Sequence, residues 1–82
     1  MYTLVILRAA QKALAKILPK DRQRITTTIQ ALAQNPRPHG CIRLEDSEFW
    51  RVRVGNYRII YLIKDQQLIV TITNVANRKD AY

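Results

Sequence analysis

The sequence predicts a small α+β domain in which a pair of helices covers one face of a mainly antiparallel sheet. The chain has 82 residues, and we interpret residues 1–82 as one domain. In its first half, apolar residues recur at helical spacing over two consecutive segments. In its second half, short runs rich in β-branched and aromatic residues alternate with turn signals, which is typical of adjacent antiparallel strands.

The first half of the chain predicts one strand and two helices. Residues 2–7 (YTLVIL) are apolar, short and rich in β-branched side chains, so they predict a strand. Residues 9–18 predict a helix, because apolar side chains recur on one side of it. Pro19 interrupts this pattern, and residues 20–34 predict a second helix that ends at Asn35-Pro36. With about two residues between them, the helices are expected to form an antiparallel hairpin.

The second half predicts a loop followed by strands. Residues 35–40 (NPRPHG) read as a loop, and residues 41–44 as a short strand. Three longer strands are predicted at residues 49–54, 57–63 and 68–75. The predicted order is therefore β-αα-ββββ when the short run at residues 41–44 is counted as a strand.

The hairpin FWRVRVGNYRIIY, residues 49–61, concentrates basic side chains on one face. A two-residue turn at Gly55-Asn56, where both residues tolerate a positive φ, sets the register and places Arg53 opposite Arg58. Because side chains alternate along a strand, the apolar residues share the face that meets the helices. The opposite face is predicted to carry Arg51, Arg53 and Arg58.

Direct cross-strand pairing of Arg53 and Arg58 needs an explanation, since like charges with Cβ atoms about 5 Å apart destabilise a sheet. One interpretation is a solvated charged face. The other is an anion site, in which guanidinium groups on a rigid sheet bind phosphate. The tail supports the second interpretation, because Arg78 and Lys79 follow the last strand and Tyr82 offers an aromatic ring on which an RNA base can stack.

Composition and charge narrow the classes of function. The formal net charge is +8, which favours a polyanionic partner: nucleic acid, an anionic membrane surface or an acidic protein. With one cysteine and one histidine, the chain predicts no internal disulfide and no zinc site, and we expect no cofactor. The first apolar run is too short for a signal peptide or a membrane span, so a cytoplasmic protein is expected.

The hairpin run R-x-R-V-G-x-Y-R-x-x-Y, the helix pair and the ending R-x-x-x-Y resemble the RelE/ParE superfamily of bacterial and archaeal toxins. The resemblance covers nearly the whole chain and implies a small α/β fold of the order given above. RelE-type members enter the ribosomal A site and cut the mRNA held there. By position, the resemblance implies catalytic roles at Arg51, Arg53, Arg58, Arg78 and Tyr82.

Two positions depart from the pattern of RelE-type members. The first basic position is often a lysine, proposed as the general base, whereas this chain has Arg51. A guanidinium stays protonated and is therefore a poor base. Other members have a histidine just before the C-terminal arginine, where this chain has Asn77. The general base is thus left open between Arg51 in an unusual environment, a ribosomal group and water.

Two other functions remain open at the level of sequence. ParE-like members share the fold but inhibit DNA gyrase by binding, without RNA chemistry of their own. A basic RNA-binding domain without catalysis would show steep salt dependence and no cleavage. Retention of the arginines and of Tyr82 favours the ribosome-dependent mRNA endonuclease, and Lys64 and Lys79 are expected to add attraction for RNA.

The resemblance also implies partners. They are the ribosome with its mRNA and a cognate antitoxin, expected to be acidic and to fold on binding. Operator DNA is expected to be bound only through the antitoxin complex, and no membrane is expected. The antitoxin is predicted to cover the helix pair or the arginine face, or to displace the tail. Exposed apolar side chains on the helices, such as Leu14 or Ile29, would mark a docking groove there.

Overall fold

The computed structural model describes residues 1–77 and confirms the predicted α+β class. Residues 78–82, with the predicted site residues Arg78, Lys79 and Tyr82, lie outside the described part. Seven elements follow one another in the chain: β1 (Thr3–Ile6), α1 (Arg8–Ala15), α2 (Pro19–Gln34), β2 (Ile42–Arg43), β3 (Phe49–Val54), β4 (Tyr57–Lys64) and β5 (Ile69–Asn77).

All five strands form one sheet in the order β1-β5-β4-β3-β2. The strands from β2 to β5 pair antiparallel with their neighbours, as predicted. The first strand instead pairs parallel with the last, with Thr3 opposite Ile69 and Ile6 opposite Ile72. The first strand therefore forms one edge of the sheet, next to the last strand, and the hairpin β3–β4 lies toward the other edge.

Pro19 marks the boundary between the two helices. This residue opens α2 at its first turn, where a missing N–H costs nothing because that group has no partner within the helix. The preceding Leu18 is extended, with a ψ of 144°, as a residue before proline tends to be. The first helix ends at Ala15 rather than at the predicted residue 18, and residues 16–18 link it to α2. Within residues 1–77, neither helix is long and apolar enough to cross a membrane.

The hydrophobic core lies between the helices and one face of the sheet. Three residues of α2 along one side, Ile25, Ile29 and Leu32, are at most 2% exposed. They pack with buried residues of β3, β4 and β5, including Val52, Ile59, Tyr61, Val70 and Ile72. Full burial of one such aliphatic side chain contributes about 1.5–3 kcal/mol. The core therefore fixes which face of the sheet stays open.

A β-bulge shifts the alternation of side chains along β5. Ile60 pairs with Asn74 but Tyr61 pairs with Ile72, so Thr73 is the extra residue. Its hydroxyl donates a hydrogen bond to the Ile60 carbonyl oxygen at 3.1 Å. As a result Ile72 and Val75, three positions apart, both reach the core. The strand runs from Ile69 to Asn77, whereas the prediction was residues 68–75.

Candidate nucleic-acid interface

The hairpin β3–β4 has the predicted register at every predicted pair. Val54 lies opposite Tyr57, Arg53 opposite Arg58, and Arg51 opposite Ile60. The predicted apolar face belongs to the core: Val52, Ile59 and Tyr61 are buried there, and Trp50, Val54 and Tyr57 pack against them. Arg51, Arg53 and Arg58 therefore share the other side of the sheet, which we call the open face.

The turn that sets this register differs in detail from the prediction. Gly55 has a φ of 58°, in the left-handed region, whereas Asn56 has a negative φ. A glycine with positive φ at the first central position is typical of a type II′ turn, whose twist matches that of the flanking strands. Only Gly55 therefore uses the conformational freedom that was predicted for both residues.

The three arginines differ in exposure. Arg53 is exposed and Arg58 is half-buried. Arg51 is only 9% exposed, so the expectation of a fully open arginine face is wrong at this position. The reason is its place in the sheet: its cross-strand neighbours are Ile42 on β2 and Ile60 on β4, and these side chains flank the arginine stem. The charge available to a ligand at the surface is that of Arg53 and part of Arg58.

Beyond the arginines, the open face becomes apolar. The register places Phe49, Leu62, Thr71 and Val5 side by side across four strands. Phe49 is 37% exposed, and Ile42, beside Arg51, is 49% exposed. A sheet face that carries guanidinium groups at one end and apolar side chains at the other suits a ligand that is both anionic and apolar.

The helices do not show the exposed apolar residues that were predicted to mark a docking groove. Ile29 is 2% exposed because it points into the core, so this prediction is wrong. Leu14 is half-buried and packs against the same core. Large exposed apolar residues lie instead at the ends of elements, such as Leu18, and on the open face, such as Ile42 and Phe49.

Lys64 lies far from the arginines. Lys64 lies on the same side of β4 as Arg58. The two residues are six positions apart, which corresponds to about 20 Å along a strand. Lys64 is exposed and pairs with Ile69 at the far end of the sheet. The structure therefore does not bring it together with Arg51, Arg53 and Arg58.

A second set of basic residues lies near the β3–β4 turn and was not predicted. A groove of about 370 Å³ at the other end of the sheet is lined by Arg37, Arg43 and Lys64 beside Trp50 and Glu48, and the groove at the turn is larger, at about 630 Å³. It is lined by side chains of α2 and by the hairpin: Lys20, Gln23, Arg24, Thr27, Thr28, Arg53, Val54 and Gly55. The spacing of residues 20, 24 and 27–28, which share one face of a helix, was the sequence signal for it.

Another arginine, Arg37, is fixed by contacts with Asp65 and Trp50. Its guanidinium donates two hydrogen bonds to the Asp65 carboxylate, at 3.1 and 2.8 Å, and lies 5.2 Å from the centre of the Trp50 ring. The Tyr2 hydroxyl donates to the same carboxylate at 2.6 Å. The hydrogen bonds from Arg37 and Tyr2 lower the pKa of Asp65 to about 2, and the carboxylate raises the pKa of Arg37. This network ties the loop after α2 to the β4–β5 turn.

One buried tyrosine anchors the same loop from inside. Tyr61 is fully buried, and its hydroxyl donates a 2.8 Å hydrogen bond to the Pro36 carbonyl oxygen. Burial raises the pKa of this hydroxyl, and the neighbouring Cys41 adds to the effect. Tyr61 is thus a structural residue of the core face, even though it ends the sequence run that suggested a site.

Comparison with known proteins gives a family and a fold. A family model described as the ParE toxin of the type II toxin–antitoxin system, parDE, matches residues 4–82. Among curated proteins, none matches the chain significantly in sequence.

Solved structures of similar fold come from bacteria and archaea. The toxin–antitoxin complex RelBE2 from Mycobacterium tuberculosis contains a chain 27% identical, with a TM-score of 0.78 over 94% of this chain and 98% of that one. The archaeal RelE–RelB complex from Pyrococcus horikoshii OT3 contains a chain that is 25% identical, with a TM-score of 0.84 over 94% of this chain and 94% of that one. The intact E. coli RelBE complex, at 18% identity, shares the fold, with a TM-score of 0.81 over 94% of this chain and 96% of that one.

Proposed function

The chain belongs to the ParE toxin family of type II toxin–antitoxin systems, within the RelE/ParE superfamily, and we propose that it is a ribosome-dependent mRNA endonuclease. The observation that carries the proposal is the gathering of Arg51, Arg53 and Arg58 on the open face. A planar guanidinium group can donate two parallel hydrogen bonds to the non-bridging oxygens of a phosphodiester and offset its negative charge.

The proposed reaction is attack of a ribose 2′-OH on its own 3′ phosphate. The 2′ oxygen forms a bond to phosphorus and loses its proton, while the bond from phosphorus to the 5′ oxygen of the next nucleotide breaks and that oxygen gains a proton. The products are a 2′,3′-cyclic phosphate and a 5′-hydroxyl. The reaction needs in-line geometry and stabilisation of the negative charge on the phosphorane.

The three arginines of the open face have different proposed roles, because they differ in exposure. Arg53 and Arg58 supply positive charge where the scissile phosphate would lie on the open face. Arg51, flanked by Ile42 and Ile60, is held in one place and is suited to orienting a neighbouring group rather than to exchanging protons. Since a guanidinium is a poor base, the proton acceptor would be a ribosomal group or water. Arg78 and Tyr82 are proposed to complete the site with charge and base stacking.

An antitoxin is the second proposed partner. The structures from M. tuberculosis, P. horikoshii and E. coli are complexes of RelE with RelB or of RelBE type. A net charge of +8 favours an acidic binding segment, and the apolar residues beside the arginines, such as Phe49 and Ile42, offer it a surface to bury. We therefore place the antitoxin on the open face, where it would block RNA directly.

Inhibition of DNA gyrase by binding is the second candidate function. One specific observation favours it: the family model that matches residues 4–82 is that of the ParE toxin. The nuclease proposal and this candidate differ in target and in chemistry. A supercoiling assay with purified gyrase and a cleavage assay with programmed ribosomes therefore separate them.

The test of the nuclease proposal compares purified wild type with Arg53→Gln and Lys12→Gln on ribosomes programmed with a short mRNA. Arg53 is exposed, so its loss leaves the core intact, and Lys12 on α1 provides a matched loss of charge. Loss of one group that stabilises developing charge lowers a rate about 10²–10³-fold. We expect that loss for Arg53→Gln and near wild-type cleavage for Lys12→Gln. Equal cleavage by all three, or inhibition of gyrase without cleavage, contradicts the proposal.

A further inference from the structure

The groove beside the β3–β4 turn, which we call the turn groove, extends beyond the arginine cluster of the open face and shares only Arg53 with it. One wall is α2, with Lys20, Arg24 and Thr27, and the other is the end of β3 with Gly55. Its volume of about 630 Å³ is far larger than the cleft of about 30 Å³ between Arg53, Asn56, Tyr57 and Arg58. It is therefore a place where a ligand of nucleotide size can lie.

The walls of the turn groove carry an excess of positive charge. Lys20 and Arg24 on α2 contribute two cations, and Arg53 borders the groove at the end of β3. Asp21 approaches Arg24 at 3.9 Å, but both side chains are partly exposed, at 38% and 59%, and an ion pair of that kind contributes only about 0–1 kcal/mol. One carboxylate at that distance also leaves most of the five guanidinium donors available. The groove is thus suited to an anion with several acceptor oxygens.

The backbone of β3 adds a donor to the same groove. Strand β2 pairs with β3 at Arg51 and Trp50, so β3 continues beyond this pairing toward the turn. Because hydrogen-bonded and non-hydrogen-bonded pairs alternate in an antiparallel hairpin, the Arg53 N–H points away from β4 and toward this edge. A backbone N–H, two helix cations and the Thr27 hydroxyl together form the usual donor set for a phosphate.

The turn itself brings the groove close to the open face. A Cβ atom on Gly55 would lie 3.5 Å from Nη1 of Arg24, so the guanidinium group rests against the turn. Arg53 and Gly55 line both the turn groove and the small cleft that leads to Arg58. Two anion sites therefore meet at the turn and share one arginine. A ligand with phosphates in succession fills both, whereas a single phosphate fills only one.

We propose that the turn groove binds a backbone phosphate of single-stranded RNA, next to the phosphate held by Arg53 and Arg58. The RNA strand then crosses the β3–β4 turn, with Arg24 and Lys20 holding the neighbouring nucleotide. This assignment rests on the proposed action on RNA and adds to it the path of the strand. Arg24 acts as a binding residue, and it has no part in the chemical step.

The test measures binding of a fluorescent, uncleavable 2′-O-methyl RNA hexanucleotide to the full chain over a series of salt concentrations. For single strands, the slope of log K against log salt changes by about 0.7 for each phosphate contact. Arg24→Gln and Lys20→Gln are expected to weaken binding and to reduce the slope by about 0.7. Lys12→Gln removes the same charge from α1 and is expected to leave the slope unchanged. Thermal unfolding of each variant verifies that it is folded.

A second readout locates the strand. Titration of labelled wild type with the hexanucleotide is expected to shift the amide NMR signals of Thr27 and Gly55, and Arg24→Gln is expected to suppress the shift at Thr27. Slopes for Arg24→Gln and Lys20→Gln equal to that of Lys12→Gln overturn the inference. So does equal dependence on Arg24 for duplex DNA, or absence of RNA binding by wild type. Hexanucleotide binding that depends on Arg24, combined with no cleavage on ribosomes, supports the groove and refutes only the nuclease proposal.

Discussion

Replacing Tyr61 with phenylalanine tests how the loop after α2 is held on the sheet. The substitution keeps the ring in the core and removes only the hydroxyl, which donates a 2.8 Å hydrogen bond to the Pro36 carbonyl oxygen. Tyr61 is fully buried and Pro36 is buried, so water cannot replace the lost donor. The Pro36 carbonyl group, left buried without its donor, costs about 1–3 kcal/mol. Part of this cost is offset, because the variant no longer has to bury the polar hydroxyl group.

The expected loss in free energy of unfolding is therefore about 1–2 kcal/mol. For a domain of this size, 1 kcal/mol corresponds to a shift in Tm of about 4–8 °C. Urea denaturation followed by circular dichroism, together with a thermal melt, measures both quantities. Tyr2→Phe is the matched control, because its hydroxyl donates to the exposed Asp65 carboxylate, where water can replace it. The control is expected to lose less than the Tyr61 variant.

The pH dependence gives the same prediction a second signature. Burial raises the pKa of Tyr61, so the folded state favours the neutral phenol more than the unfolded state does. Its contribution is complete below the unfolded pKa of about 10 and is lost as the pH rises further. The stability difference between wild type and Tyr61→Phe is therefore expected to narrow between pH 9 and pH 11. A Tyr61→Phe protein as stable as wild type at pH 7, with a constant difference up to pH 11, would refute this account of the loop.

Three other predictions concern the turns and the Asp65 network. The pKa of Asp65 is lowered to about 2, so the contribution of its carboxylate to stability is present above the unfolded pKa and is lost as the pH falls through 2. The free energies of unfolding of wild type and Asp65→Asn should therefore differ at pH 6 and converge near pH 2 in an acid titration. A difference that persists at pH 2 contradicts the assignment. Gly55→Ala places a side chain at a φ of 58° and should destabilise the fold by about 1 kcal/mol in urea denaturation, and a neutral result would show that the turn does not need glycine. Leu68 has a φ of 55° and is 50% exposed, so Leu68→Gly should raise stability by roughly 0.5 kcal/mol, and a decrease would show that the leucine side chain contributes more than its backbone costs.

The parts of the fold set by local pattern were predictable from the sequence. The alternation in residues 49–61 and a two-residue turn determine the register of β3 and β4, because a shift by one residue would expose the whole apolar face. That register placed Arg53 opposite Arg58 and put Arg51 on the same side, and all three positions are confirmed. The helix over residues 20–34 was equally clear, with its apolar stripe and its end before Pro36.

The parts that depend on tertiary contacts were not predictable in the same way. Parallel pairing of β1 with β5 joins segments more than 60 residues apart, and the sequence carries no local signal for it. Strict alternation would place Ile72 and Val75 on opposite faces of β5. The bulge at Thr73 shifts the alternation, so that both face the core. Burial of Arg51 depends on Ile42 from the short β2, whose pairing could not be assigned to a partner from the sequence.

The candidate site shows the same division. Its arginines came from alternation within one hairpin, whereas Arg24 enters the second groove because α2 packs beside the β3–β4 turn. The end of α2 at Asn35-Pro36 and the spacing of its basic residues can be read in the sequence. The approach of Arg24 to Gly55 depends on how α2 packs on the sheet, for which the sequence has no local signal. Roles for Arg78, Lys79 and Tyr82 stay predictions, since these residues lie outside the described part of the chain.

Mapping of mRNA 5′ ends after brief induction of the toxin tests the central claim most directly. If guanidinium groups on the open face act on a phosphodiester in translating ribosomes, new ends should appear within coding regions, in phase with codons. They should carry a 5′-hydroxyl, and they should vanish when Arg53→Gln replaces the wild type. Arrested growth with intact mRNA and damaged DNA, or breaks unchanged by Arg53→Gln, would contradict the account.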